Sequence, residues 1–399
     1  MEAGGSEMTR RRRLLPSSPA PAPALDGDDT MSEILLRLPP LPSSLPRASL
    51  VCKRWRRLVS EPHFLRRFRE HHRKPPVLGF ISQPVAFSSQ RVSVTFTSVL
   101  DSPDNIPDER FSLHLENDIR CKMFDCRHGR VLFLDQLTYF LVWAPVTGEQ
   151  HRVAFPLSLR KKEMSWEMNG AVVCAASEQG HVHGSCHSDP FQVVLLRIGK
   201  HGILACVYSS ETCAWGNAVS LLWPHNIRGV YRNCPNTLVG NFVCWFLIGR
   251  RFGILKFDLR SQSLSAIELP SDAVEHAPYF WINYQFLITP ADDGGINFLC
   301  LSGFSAQVWK WKASCDVGAG WRLGSKVDLN NLLSLEAGVG TRPPQILGMA
   351  EDDNTMFLVT NVGVFMLHLE SMQFKKLSIR MGYGTRICYQ FRSFYSAGI

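Results

Sequence analysis

The sequence predicts an α+β multidomain chain, a small N-terminal three-helix domain followed by a large all-β domain. Three observations carry this. Between Asp26 and Pro75, apolar residues recur every three or four positions. From Val77 onward they recur every second position. The 29 Gly and 24 Pro spread along the 399 residues favour a turn-rich architecture over long helices. A chain of this length predicts two or three folding units, at least one with a full core.

Residues 1–24 carry Arg10 to Arg13 and then Pro19, Pro21 and Pro23 alternating with Ala, a composition that predicts a flexible leader. The first helix is predicted from Thr30 and Glu33, spaced as a capping box, with Asp28 and Asp29 favouring the same start. Its stripe is Met31, Ile34, Leu35 and Leu38, and Pro39 and Pro40 stop it. A second helix capped by Ser43 or Ser44 carries Leu45, Ala48, Val51, Cys52 and Trp55, with Lys53, Arg54, Arg56 and Arg57 on its wet faces. The third starts near Ser60 and Pro62, carries Phe64, Leu65 and Phe68, and ends before Pro75. Three such helices make a marginal core unless they pack on something else.

In the β region, 76–399, Val92, Val94 and Phe96 alternate with polar residues. Gly129 to Leu134 and Tyr139 to Trp143 form a predicted hairpin. Similar strand ends meet polar turns near Trp143, Tyr208, Phe257, Trp309 and Leu367, separated by 65, 49, 52 and 58 residues. Several are followed by another strand, at Gln150 to Ala154, Ser263 to Leu269 and Gln373 to Ile379. Spacing near fifty predicts a kelch-like β-propeller, and a meandering sandwich gives the same local pattern.

The net charge of +8 sits almost wholly in residues 1–75, which hold 15 Lys/Arg and 8 Asp/Glu, so the β region is nearly neutral and nucleic-acid binding is not expected. No apolar stretch approaches the roughly 20 residues of a membrane span, and no membrane partner is expected. Twelve irregularly spaced cysteines without an apolar signal segment predict a reduced protein of the cytoplasm and/or nucleus.

Ser32 to Pro40, and Leu50-Val51-Cys52-Lys53-Arg54-Trp55 running on to Leu58-Val59-Ser60, resemble the two most recognisable segments of the F-box family. The order of leader, helical unit, His/Arg-rich segment and β domain resembles the large F-box family of grasses, and Gly129 to Leu132 and Val142 to Gly148 are similar to segments of its C-terminal domain. The resemblance places an F-box at 25–75 and a β-rich substrate-recognition domain at 76–399. It implies that Leu25, Ile34, Leu35, Leu38, Pro39, Leu45, Val51, Cys52, Trp55 and Leu58 form the surface and core that dock a Skp-type adaptor, and through it a cullin. It further implies a receptor subunit of a ubiquitin ligase with an unknown protein target. Leu25 is followed by Asp26 where the family has Pro, and a Pro-rich connector replaces the usual polar link between the first two helices. A scaffold outside any ligase is the alternative.

No catalytic, cofactor or metal residues are assigned. His181, His183, Cys186 and His187 are ligand types, but they crowd into seven residues and are taken as a polar loop before a strand from Phe191 to Ile198. Cys121, Cys126 and His128 find no matching second pair. Asp292-Asp293 and Glu351-Asp352-Asp353 are taken as turns. No Gly-x-Ser-x-Gly elbow, phosphate-binding Gly loop or dinucleotide turn occurs, which disfavours an enzyme working in a propeller channel. Trp143, Trp215, Trp245, Trp309, Trp311 and Trp321 are predicted to be mostly blade core.

Overall fold

The computed structural model describes residues 27–84, 94–111, 113, 121–135, 139–159, 167–176, 181–184, 186–199, 202–222, 227–231, 234–270, 272, 284–291, 293–312, 320–335, 342–379, 381 and 386–395. Leu25, Val92 and Asp292 lie outside them.

The helical unit has four helices where the periodicity predicts three. Helix α1, Asp28–Leu36, starts earlier than the Thr30 spacing implies: its N-cap is Gly27, no side chain caps it, and Asp28 and Asp29 charge its first turn. Glu33 turns away from any cap to pair with Arg67. The predicted second helix divides into α2, Ser44–Ser49, and α3, Lys53–Ser60. At the break Cys52 is extended, and its sulfur accepts the Trp55 amide at 3.5 Å. On one unbroken helix, at about 100° per residue, Leu58 would stand about 140° around the axis from Leu45. The break lets both enter one core. Helix α4, Pro62–His72, begins with Pro62 in its first turn, where the missing amide is harmless. Met31, Leu35, Leu36, Leu45, Ala48, Leu58, Val59, Phe64 and Phe68 form this core.

The β region is a six-bladed propeller of antiparallel sheets. Strands β1, Val77–Pro84, and β2, Thr95–Ser98, come first in the chain. Blade one is β3 Cys121–Arg127, β4 Arg130–Asp135, β5 Tyr139–Trp143 and β6 Gln150–Ala154. Blade two is β7 Glu167–Cys174, β8 Phe191–Ile198 and β9 Gly202–Ser209, with β10 Ala214–Trp215 and β11 Val219–Leu222 both pairing β9. In blade three, β12 Ile227–Val230 and β13 Thr237–Val239 share the inner edge of β14 Phe242–Gly249, followed by β15 Gly253–Asp258 and β16 Ser263–Glu268. Blade four is β17 Tyr284–Pro290, β18 Ile296–Ser302, β19 Ser305–Lys312 and β20 Gly320–Asp328. Blade five is β21 Gln345–Ala350, β22 Thr355–Thr360, β23 Gly363–His368 and β24 Phe374–Leu377.

Blade six closes the ring with strands from both ends of the domain: β25, Arg386–Arg392, pairs along β1, which pairs with β2. Gly79 makes this closure possible, because a Cβ there would stand 2.2 Å from the Thr97 carbonyl oxygen. The inner strands β25, β3, β7, β12 with β13, β17 and β21 contact one another around the axis.

The five anchors Trp143, Tyr208, Phe257, Trp309 and Leu367 all lie on the third strand of their blades, β5, β9, β15, β19 and β23. Middle strands such as β4 and β22 are buried along their whole length, while outer strands such as β6 and β24 are mostly exposed. Trp143, Trp245 and Trp309 are core, whereas Trp215, Trp311 and Trp321 are half-buried. Trp215 and Trp321 each donate an indole N–H to a backbone carbonyl, of Ala154 and Glu268 respectively, in the preceding blade.

The two domains meet. Pro40, Leu41, Leu45, Leu65 and Phe68 line a cavity of about 170 Å³ with Phe394 and Tyr395. The Ser43 amide donates to Asp104 at 2.8 Å, and Arg392 donates to the Pro75 carbonyl at 3.0 Å. The small helical core therefore packs on the propeller, as its size requires.

Candidate functional site

Nine of the ten positions singled out in the helical unit divide into three groups. Leu35, Leu45 and Leu58 are core and present nothing to a partner. Leu38 and Trp55 are half-buried against that core. Ile34, Pro39, Val51 and Cys52 are exposed, and Leu25 lies outside the described residues. The α1 stripe is thus split: Met31 and Leu35 face inward, and Ile34, 41% exposed, faces out.

Sequence periodicity missed Leu50, which is 75% exposed beside Val51 at 62%. Both occupy the break between α2 and α3, which periodicity alone does not reveal. Three of the eight large exposed hydrophobic residues among those described therefore fall within this small unit. The surroundings are basic, with nine Lys/Arg against five Asp/Glu over residues 28–72. Asp28 is held by Arg54 at 2.7 Å and Arg57 at 2.5 Å, and chiefly the Arg54 hydrogen bond keeps its carboxyl below the usual range.

The propeller axis carries a second cluster. Arg127, at the end of β3, donates to Asp125 at 2.8 Å, to the Asn236 side chain at 2.8 Å and carbonyl at 3.0 Å, and to Glu351 at 2.6 Å. Asp125 also accepts the Val172 amide of β7, and Glu351 accepts the Leu238 amide of β13. Tyr389 of β25 donates to the Phe124 carbonyl at 2.6 Å. One guanidinium thus ties together residues of blades one, three and five. Glu351, expected only to form a turn, is also an anchor of this hub.

Beside it lies a cavity of about 300 Å³ lined in part by Pro75, Cys126, Arg127, His128, Glu351 and Arg392. These groups are not poised for nucleophilic attack. Burial pushes the Cys126 thiol up and holds His128 neutral, well below its ordinary value, and Glu351 is committed to Arg127.

Residues 28–67 match the F-box domain, and residues 122–387, two-thirds of the chain, match the family described as F-box protein AT5G49610-like, beta-propeller. The chain belongs to that family of F-box proteins. It is 26% identical to the "Putative F-box/kelch-repeat protein At3g17570" of Arabidopsis thaliana over 256 residues, covering 60% of this chain and 58% of that relative. It is 21% identical to the "F-box protein At5g03970" of Arabidopsis thaliana, covering 87% of this chain and 81% of that one. Neither relative is a grass protein, so the resemblance noted above holds at the level of plant F-box proteins. Among solved structures, a protein of unknown function from Desulfotomaculum acetoxidans aligns at TM-score 0.38 and 10% identity, over 79% of this chain and 89% of that one. The WD40 domain of SCAP from fission yeast aligns at 0.34 and 7%, over 77% and 88%.

In this F-box protein the loop from β7 to β8 brings together a group that sequence spacing leaves apart. Cys174, at the end of β7, joins His181, His183 and Cys186. His187, counted with them from the sequence, is not in the group. The missing signal was Cys174, twelve residues before Cys186, which local spacing did not connect to the His-rich stretch. The ring of His128 stacks on His183 with centroids 3.8 Å apart, and its Nδ1 accepts the Cys174 amide at 3.0 Å. A hydrogen bond from Cys186 draws the Cys174 thiol well down, and the same bond holds Cys186 up.

Proposed function

We propose that the chain is the substrate-receptor subunit of an SCF-type (Skp–cullin–F-box) ubiquitin ligase. The F-box docks a Skp-type adaptor and through it the cullin, and the propeller holds a target protein near the conjugating enzyme. Catalysis is then by proximity, with the bond-making chemistry supplied by another subunit. The observation that carries the docking half is the exposure of Ile34, Leu50 and Val51 in a unit whose other large aliphatic side chains mostly face its core. An apolar partner helix flanked by acidic residues complements these side chains and their basic surroundings. Cys206, Cys244 and Cys300 are free thiols buried in the blades, which suits the reducing cytoplasm or nucleus.

Burying Leu50 and Val51 from their present exposure is worth about 2–3 kcal/mol, or about a hundredfold in Kd. The Leu50→Glu/Val51→Glu variant, changed only at exposed positions, is expected to lose adaptor binding by that factor or more. Leu222→Glu, at a propeller position 83% exposed, is expected to bind as the wild type does. Equal adaptor affinity for all three proteins refutes the docking assignment.

A further inference from the structure

We propose that Cys174, His181, His183 and Cys186 form a structural zinc site that clasps the β7–β8 loop against the junction of the two domains. Their four ligating atoms all lie within 4.8 Å of one another. His181 Nε2 stands 3.4 Å from the Cys174 sulfur and 3.3 Å from the Cys186 sulfur, and His183 Nδ1 stands 3.5 Å from Cys186. A tetrahedron with Zn–S near 2.3 Å and Zn–N near 2.0 Å has sulfur-to-nitrogen edges of about 3.5 Å. Three of the sulfur-to-nitrogen edges thus already match the polyhedron that a zinc ion requires, and the rest lie within 4.8 Å, close enough for side-chain adjustment to complete it. Two sulfurs and two imidazoles in that arrangement favour zinc over the hard, oxygen-seeking cations.

The surroundings are those of a metal site as well. With Nε2 turned to the sulfurs, His181 has its Nδ1 on the side of the Asp189 carboxylate, 3.9 Å away, so that a small approach would give the outer carboxylate that orients a ligating imidazole. The Ala176 amide donates to the Cys174 sulfur at 3.5 Å, as amides do toward metal-bound thiolates. Arg130 is almost fully buried, donates to the Asp189 carbonyl at 2.5 Å and lies against Cys174. A buried guanidinium calls for nearby negative charge, and two zinc-bound thiolates supply it.

The clasped loop has a mechanical place in the molecule. The Gly184 carbonyl accepts the Ser393 hydroxyl at 2.7 Å and the Phe394 amide at 3.0 Å, just past β25. Gly184 also lies so close to Pro75, which follows α4, that a Cβ would meet the proline ring at 2.6 Å. Closing the four ligands on one ion fixes the segment that meets both the F-box exit and the end of the ring.

The test is the metal content of the full chain purified without chelators. About one zinc per chain is expected for the wild type and for Cys213→Ser, an exposed cysteine outside the group, falling about fivefold or more in Cys174→Ser/Cys186→Ser. Stripped wild-type protein titrated with cobalt(II) is expected to show the visible bands of a tetrahedral ion together with thiolate charge transfer. Wild-type measurements decide the matter even if the double variant does not fold. Wild-type protein that carries less than about a tenth of an equivalent of zinc and gives no tetrahedral cobalt spectrum overturns the proposal. So does a Cys174–Cys186 disulfide found by mass spectrometry in freshly prepared protein. Removing zinc is further expected to speed amide exchange at residues 181–188 about tenfold, and unchanged exchange overturns the clasping role.

Discussion

Replacing Arg127 with Met leaves a carboxylate stranded at the centre of the propeller. The Asp125 side chain is almost fully buried, and Arg127 is its cationic partner at 2.8 Å. Glu351 loses the same cation at 2.6 Å. Breaking a buried pair by removing one member costs about 3–5 kcal/mol, because the remaining charge has no water to return to. At about 2 °C per kcal/mol, suited to a domain of this size, the melting temperature at pH 7 falls by about 6–10 °C.

The loss carries a pH signature. Burial, opposed by Arg127 and by the Val172 and Cys126 amides, raises the Asp125 carboxyl above its ordinary 3.8 in the folded protein. Between that ordinary value and the folded one, the native state holds a proton that the unfolded state releases, so stability grows as pH falls through the folded value. Without Arg127 the folded value climbs further, and the window reaches to higher pH. Thermal unfolding of wild type and Arg127→Met at pH 7 and pH 5 is expected to show a deficit that shrinks at the lower pH. A deficit under about 1 kcal/mol at pH 7, or one that widens on acidification, refutes the hub as an electrostatic anchor.

Leu35→Ala opens a cavity in the F-box core, where the side chain is almost fully buried, and should destabilise that unit by about 2–5 kcal/mol. Hydrogen exchange should then lose protection over residues 28–72 while the blade strands keep theirs; equal loss everywhere would mean that the two domains unfold as one. Gly184→Val places a side chain at φ +114° against Pro75 and should cost about 1–3 kcal/mol. Limited proteolysis near residues 73–76 should quicken, and unchanged cleavage would show that this contact does not hold the junction.

Much of the architecture was legible because it is encoded between near neighbours. Phe64 and Phe68, four residues apart, mark one face of α4, and both are buried. The β anchors worked for the same reason, since strand, turn and strand follow one another within each blade, and the repeat placed each anchor on its third strand. Blade six escaped the repeat because β25 and β1 are separated by almost the whole domain. The break at Cys52 escaped because local periodicity tolerates one long helix there, and only the shared core requires two.

The ligand group and the hub were hidden for a related reason. Cys174 belongs to a strand pattern and His181 to a loop pattern, and nothing in their spacing says that the chain folds back to join them. Arg127 meets Asn236 and Glu351 from 109 and 224 positions away. The order of amino acids by itself determined the helical unit, its aliphatic and basic character, and the repeating strands, all properties of segments a few turns long. Tertiary packing alone decided which aliphatic residues stay uncovered at the α2–α3 break, which sulfurs meet which imidazoles in the β7–β8 loop and, through closure of the ring, which carboxylates meet Arg127, because each of those contacts exists only once separate segments pack together.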